Sequence, residues 1–233
     1  MKTIITDKQV VVVGLGVTGL SCVRYFKSLG HNITVMDSRL NPPGVQKLAA
    51  EYPEIEPILG GYDRERLLSA DEIILSPGVP LASENIQAAL ESGVRVRGDI
   101  DVFSEVAKAP IVAITGSNGK STVTTLVAEM ALEAGVDVAV GGNLGTPALD
   151  LLSDDCQLYV LELSSFQLET TEKLGAESAV ILNISEDHMD RYAGKMAYLQ
   201  AKQRIFRGAR FVVINDEEVL SQPLMSADMK AMH

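Results

Sequence analysis

The residues best suited to chemistry lie in Thr115-Gly-Ser-Asn-Gly-Lys-Ser-Thr122, between an apolar run and a helical pattern. Two glycines, a lysine and hydroxyl residues in that order make a phosphate cradle. The turn aims backbone N–H groups at an anion at a helix N-terminus. Lys120 reaches the outer phosphates, and the hydroxyl of Ser121 or Thr122 holds Mg²⁺. The stretch departs from the strict G-x-x-x-x-G-K-[ST] pattern, which needs a glycine where this chain has Ile114. A glycine turn that merely caps a helix, with Lys120 in solvent, is the bland alternative.

A second glycine pattern, Gly14-Leu-Gly-Val-Thr-Gly19, follows the apolar run Val10–Val13, and Asp37 ends the next apolar run. This spacing places an anion on the first helix and a ribose or base near Asp37. It does not specify a nicotinamide dinucleotide, and purely structural glycines remain an alternative. Arg39 adds a cation that meets a further phosphate or stays on the surface. A looser group is Glu162, Asp187, His188, Asp190 and Lys202. Glu162 ends a strand where a carboxylate meets Mg²⁺ beside a phosphate turn, but residue type equally allows a helix N-cap or a solvated side chain. On residue type alone His188 reads as a surface histidine, and Lys202 as the solvated face of a helix.

The elements that position these residues follow from the apolar pattern. The continuous apolar run at 9–13 reads as a strand buried on both faces, and 32–36, 72–75, 111–114, 157–161, 178–182 and 211–214 read as further strands. Shorter runs at 94–96 and 137–140 join them. Helical stretches are expected over 20–29, 45–51, 84–92, 100–107, 120–133 and 196–206. The polar residues fall just after strands, where open parallel sheets bind ligands. The fold class is α/β: a Rossmann-like parallel-sheet domain over 1–98, then a P-loop α/β domain over 99–233. The tail from Glu217 to His233 has no strong period.

Composition narrows the function. The chain has 233 residues, 46% of them hydrophobic, which is enough for two cores. A net charge of -11 argues against general nucleic-acid binding. Cys22 and Cys156 lack C-x-x-C spacing and read as core thiols of a reducing compartment. The first seven residues contain no apolar signal core, and no window is apolar enough to span a membrane. A soluble cytoplasmic protein, independent of membranes, is expected.

Taken together, these motifs resemble the Mur ligase family of peptidoglycan synthesis. The resemblance rests on Gly14–Ser21, Ser76-Pro-Gly78, Thr115–Thr122, Gly141-Gly-Asn-Leu-Gly145, Leu161-Glu-Leu-Ser-Ser-Phe-Gln-Leu-Glu169 and Asn183-Ile-Ser-Glu-Asp-His-Met-Asp-Arg-Tyr192. It runs from Val10 to about Asp216, and the shortened phosphate turn is itself the family's form. The 161–169 segment is most similar to the D-glutamate-adding branch.

The resemblance implies an ATP-dependent ligase that joins D-glutamate to UDP-N-acetylmuramoyl-L-alanine through an acyl phosphate. It implies substrate contacts from Val17, Thr18, Asp37, Ser38, Arg39, Ser76, Gly78 and Asn143. Gly116, Ser117, Asn118, Gly119, Lys120, Ser121 and Thr122 would bind the ATP phosphates. Ser121 and Glu162 would ligate one Mg²⁺, and His188 and a carbamylated Lys202 a second. Lys120, His188 and Lys202 would be the catalytic set, and the protein is expected to be a monomer. The family has a longer central domain and a third domain, which carry the adenine and D-glutamate contacts. A chain ending at His233 is therefore expected to be a fragment, with an incomplete central domain and no C-terminal domain, unable to complete turnover. Two other readings compete: an NAD-dependent oxidoreductase built on the first domain, and a non-catalytic nucleotide-binding module.

Overall fold

A computed structural model describes residues 8–224. The readings made on residues 1–7 and on the end of the tail, 225–233, lie outside the described residues. The chain divides into two compact units, Met1–Asp99 and Ile100–His233.

In the first unit, β1 (Gln9–Val13), α1 (Val17–Ser28) and β2 (Asn32–Asp37) form a βαβ unit. They are followed by α2 (Val45–Glu51), β3 (Ile58–Leu59), α3 (Arg64–Leu68), β4 (Glu72–Leu75), α4 (Glu84–Glu91) and β5 (Arg95–Arg97). The strands pair in parallel in the order β3-β2-β1-β4-β5. Val10 to Val13 of the central strand are at most 3% exposed, which is why β1 reads as an unbroken apolar run. Each such side chain contributes about 1.5–3 kcal/mol of burial.

The second unit repeats the plan. α5 (Asp99–Val106) starts at the division and leads to β6 (Ile111–Thr115), α6 (Lys120–Glu133) and β7 (Val138–Gly142). Then come β8 (Leu158–Glu162), α7 (Ser165–Glu169), β9 (Ser178–Ile181), α8 (Lys195–Gln203) and β10 (Phe211–Val213). The sheet is parallel, in the order β10-β9-β6-β8-β7. Behind it Phe103 of α5 meets Tyr159 of β8 edge-to-face at 4.9 Å between centroids.

In both sheets the strand order reverses beside the first strand, β1 or β6. Each glycine turn therefore opens at a topological switch point, where neighbouring connections diverge and leave a crevice.

The elements differ from expectation at the short pieces. β3, α3 and α7 have two, five and five residues, too few for a period to register. α1 starts at Val17 rather than Leu20, with Gly16 as its N-cap. The helix expected over 196–206 is α-helical only to Gln203 and tightens into a 3₁₀ turn at Arg204–Phe206. The tail holds a 3₁₀ turn at Val219–Ser221.

Candidate active site

The phosphate turn leaves β6 at Thr115 and enters α6 at Lys120. The N-cap is Gly119 at φ 78°, and no side chain caps the helix. The opening N–H groups of α6 thus lack a side-chain partner and point where an anion is best stabilised. Lys120 Nζ folds back to donate to Ser117 O at 3.0 Å, so its charge sits over the turn.

Glu162 is 2% exposed at the end of β8. Its carboxylate accepts from Ser121 Oγ at 2.7 Å on one oxygen and from Asn143 Nδ2 at 2.7 Å on the other. It is neither a solvated side chain nor an N-cap, because α7 is capped by Ser164 in a capping box with Gln167. Asn143 is aimed by β7. Its own N–H donates to Glu162 O at 2.8 Å, and the preceding Gly142 has φ 97°. A Cβ on Gly142 would lie 2.5 Å from Glu162 O, so only glycine lets the two strand ends approach this closely.

Lys202 is 2% exposed, not on a solvated helix face. Its Nζ donates to Thr115 Oγ1 at 3.1 Å and to Gly116 O at 2.9 Å, which pins α8 to the root of the turn. Burial pushes its pKa down to about 7, and the neighbouring Lys120 charge adds to that. Tyr198, one helical turn earlier, lies under the amine with its ring centroid 4.8 Å from Nζ. Its hydroxyl meets Ser117 Oγ at 3.0 Å.

His188 is half-exposed and has φ 55°, the one positive value at a non-glycine among the described residues. Its ring rests on Phe166 at 4.6 Å, and Nε2 lies 3.5 Å from Asp187 Oδ2. Lys120, Asn143, Phe166, Asp187, His188 and Lys202 all line one cleft of about 280 Å³. Of the loose group read from sequence, Glu162, Asp187, His188 and Lys202 therefore gather around the phosphate turn. Nothing here places Asp190 in the cleft.

In the first unit, Gly19 packs so tightly beneath the turn that a Cβ would run into Gly14 O, while a Cβ on Gly16 would meet open space. Ser76 is buried, and its hydroxyl donates to Gly14 O at 2.8 Å. Asp37 is 2% exposed with both oxygens engaged. Oδ2 accepts from Leu15 N–H and Arg39 Nη2, both at 2.7 Å, and Oδ1 from Arg39 N–H at 2.9 Å and Nε at 2.8 Å. Burial alone would raise its pKa; the guanidinium and the two N–H groups outweigh that and hold it at about 2. Asp37 is thus the anchor of the turn and of Arg39. Val17, Ser38, Arg39 and Gly78 are exposed, and Thr18 is half-buried.

The oxygen pair of Ser121 and Glu162 fits Mg²⁺, a hard cation that takes one or two protein oxygens together with phosphate and water. No group of three or more His, Cys, Asp or Glu suited to a metal occurs among the described residues. As an ammonium, Lys202 does not fit a second cation; only a modified side chain would. Among the described residues no helix is long and apolar enough to cross a membrane. Among the described residues neither Cys22 nor Cys156 is in a disulfide.

The fold and this cluster define a class: a two-unit α/β protein with a lysine-bearing phosphate turn and a carboxylate–hydroxyl pair beside it. Residues 8–98 match the family profile of the Mur ligase MurD-like N-terminal domain, and residues 114–231 that of the Mur ligase middle domain. The chain belongs to the Mur ligase family.

It is 56% identical over 224 residues to a UDP-N-acetylmuramoylalanine–D-glutamate ligase of Marinobacter nauticus, covering 96% of this chain and 50% of that protein. The corresponding ligase of Pseudomonas fluorescens Pf-5 is 59% identical over 225 residues, with 97% and 50% covered. The chain thus spans about half the length of the curated relatives it matches. Among solved structures, UDP-N-acetylmuramate:L-alanyl-gamma-D-glutamyl-meso-diaminopimelate ligase from Neisseria meningitides superposes with a TM-score of 0.60 at 19% identity, over 92% of this chain and 73% of that one. UDP-N-acetylmuramate-alanine ligase from Thermotoga maritima gives 0.54 at 20% identity, over 91% and 50%. These likenesses establish the fold.

Sequence reasoning did not find Tyr198, Phe166 or Asn183 as parts of the site. The spacing of Tyr198 and Lys202, four apart on one helix face, was an available signal for the first. Phe166 and Asn183 lie inside stretches that carry the family resemblance, but nothing in their residue type or spacing assigns them a role.

Proposed function

We propose that the chain carries the uridine-nucleotide and ATP-phosphate sites of a ligase that joins D-glutamate to UDP-N-acetylmuramoyl-L-alanine in peptidoglycan precursor synthesis. The observation that carries this reading is the convergence of Ser121, Glu162, Asn143 and Lys202 on one phosphate turn, in a chain that resembles such ligases along nearly its whole length.

In this reading, residues 1–98 form the substrate domain and 99–233 belong to the ATP domain. The uridine diphosphate lies over the open Gly16 position at the start of α1. Val17, Thr18, Ser38, Arg39, Ser76 and Gly78 surround it, and Asp37 holds Arg39 in place. The ATP phosphates lie on Gly116 to Thr122, with Lys120 drawing negative charge toward the outer phosphate. Ser121 and Glu162 would hold a Mg²⁺, which when bound would neutralise charge on the transferring group.

A carboxylate is a poor electrophile until it is activated. The L-alanyl carboxylate oxygen bonds to the γ-phosphorus as the bond from that phosphorus to the bridging oxygen breaks, and ADP leaves, which gives an acyl phosphate. The amine of D-glutamate then attacks the carbonyl carbon, inorganic phosphate leaves with the C–O bond pair, and the proton lost by the amine goes to solvent.

Lys202, with a pKa of about 7, is partly unprotonated at neutral pH. Its lone pair adds to the carbon of CO₂ and a proton goes to solvent, leaving a carbamate. That inverts the charge and gives the cleft a second oxygen ligand set beside His188, fit for a second Mg²⁺. The enzyme works as a cytoplasmic monomer, without a nucleic-acid or membrane partner.

Fluorescence titration separates this reading from an oxidoreductase. A UDP-sugar is expected to bind, and Arg39→Ala to weaken it. Tight NADH binding with indifference to the UDP-sugar overturns the assignment.

A further inference from the structure

The phosphate turn does not stand free. The segment after β9 is laced to it by six hydrogen bonds. Asn183 Oδ1 accepts from Asn118 N–H at 2.8 Å, and Asn183 Nδ2 donates to Asn118 O at 3.0 Å. One amide side chain thus closes on both backbone groups of one residue, as a neighbouring strand would. Asn183 O also accepts from Ser117 N–H at 3.0 Å. Two residues on, Ser185 N–H donates to Ser117 Oγ at 3.0 Å, Ser117 Oγ lies 3.0 Å from Ser185 O, and Asn118 Nδ2 donates to Ser185 Oγ at 3.2 Å.

The consequence concerns which N–H groups remain for an anion. Those of Ser117 and Asn118 are spent on Asn183. A phosphate is left with the other N–H groups of the turn and with those at the uncapped start of α6.

We propose that Asn183 is a positioning residue, a clamp that sets the phosphate turn in its binding shape before nucleotide arrives. The inference rests on the phosphate-site reading above. Catalytic donors are effective when their orientation is settled in advance, because no reorganisation is then needed on binding. A glycine-containing turn does not hold one shape by itself, since glycine leaves the backbone the most freedom to lose. The clamp supplies the missing constraint. Asn183 and His188 share one short segment, so the same clamp ties the turn to the loop that carries His188.

The test is hydrogen exchange of the turn amides in the full chain, with and without Mg·ATP, in wild type and Asn183→Ala. In wild type the Asn118 amide is expected to exchange slowly without nucleotide and to change little when Mg·ATP is added, while amides of 120–122 gain protection. In Asn183→Ala the Asn118 amide is expected to exchange fast without nucleotide, and Mg·ATP to bind about tenfold more weakly. UDP-sugar affinity, read on the same sample, is expected to be unchanged and reports that the variant is folded.

An Asn118 amide that exchanges fast in free wild type and is protected only by Mg·ATP overturns the clamp. So does an Asn183→Ala chain that binds Mg·ATP as wild type does. If that variant also loses UDP-sugar binding, Asn183 is a general folding residue and the proposal falls. Absence of Mg·ATP binding by wild type overturns the phosphate-site reading, and the clamp with it, and is distinguished by the wild-type arm alone.

Discussion

Replacing Asp37 by asparagine removes one negative charge and leaves the shape. The aspartate accepts four hydrogen bonds, one from Leu15 N–H and three from Arg39. An asparagine offers one oxygen and turns its NH₂ toward two of the four donors. Leu15 is fully buried and its N–H has no water to turn to, so the oxygen goes there. Arg39, with a side chain 54% exposed, swings out instead.

The cost is one ion pair in partial contact with water, worth up to about 1 kcal/mol, and one backbone hydrogen bond, worth about 1 kcal/mol. The depressed pKa of Asp37 leads to a matching figure. A fall from 3.8 to about 2 is roughly 2.4 kcal/mol at 1.36 kcal/mol per pH unit, and solvent screening at Arg39 lowers it toward 2 kcal/mol. A depressed carboxylate pKa stabilises the fold above its unfolded value, and that stability is lost as pH falls through the folded value. Wild type is therefore expected to exceed Asp37→Asn by about 2 kcal/mol at pH 6, and the difference to shrink between pH 4 and 2.

Urea denaturation of both chains at pH 6, 4 and 3, followed by circular dichroism, measures this. UDP-sugar affinity is expected to fall with it, because Arg39 is no longer held. Equal midpoints at pH 6, or a difference that stays constant down to pH 3, would refute the reasoning.

Three further outcomes are expected. Gly142→Ala combines backbone strain at φ 97° with a Cβ 2.5 Å from Glu162 O; a loss of about 2–3 kcal/mol is expected in urea denaturation, with Mg·ATP binding weakened as Asn143 moves. Gly19→Ala drives a methyl into Gly14 O, so UDP-sugar binding should be lost and Mg·ATP binding retained, read by parallel titrations. Lys202→Met removes an amine whose burial opposes its charge but also takes the donor away from Thr115 Oγ1 and Gly116 O; the two effects oppose each other, so the thermal midpoint should move by only a few degrees while ligase turnover in the full-length enzyme is lost, and a midpoint lowered by many degrees contradicts that account of Lys202.

The two-unit α/β plan was legible because parallel strands covered on both faces must be apolar throughout, as Val10–Val13 are, and because ligand residues collect where such strands end. Glu162 stood out for the same reason, since it ends a strand, though residue type left its role open; Asn143 entered only through the family resemblance, as a substrate contact. What could not be read is set by packing at long range. Lys202 looks like any surface lysine on a helix until α8 is laid against the turn. The contact of Ser117 with Tyr198 joins residues 81 apart in sequence. Asp37 was readable as important, but its role as the anchor of Arg39 depends on both oxygens being taken, which no spacing discloses. α7 is a case between the two: five residues carry no period, yet its capping box, Ser164 to Gln167, was there in the sequence.

The central claim is that Ser121 and Glu162 make the phosphate turn a magnesium-dependent nucleotide site. Calorimetric titration of a non-hydrolysable ATP analogue into wild type, Lys120→Ala and Glu162→Gln, each with Mg²⁺ and with chelator, tests it most directly. Binding to wild type is expected to need Mg²⁺. It should be lost in Lys120→Ala, and in Glu162→Gln it should become weak and indifferent to Mg²⁺. Analogue binding of equal strength in all three chains, or equal strength with and without Mg²⁺ in wild type, contradicts the account.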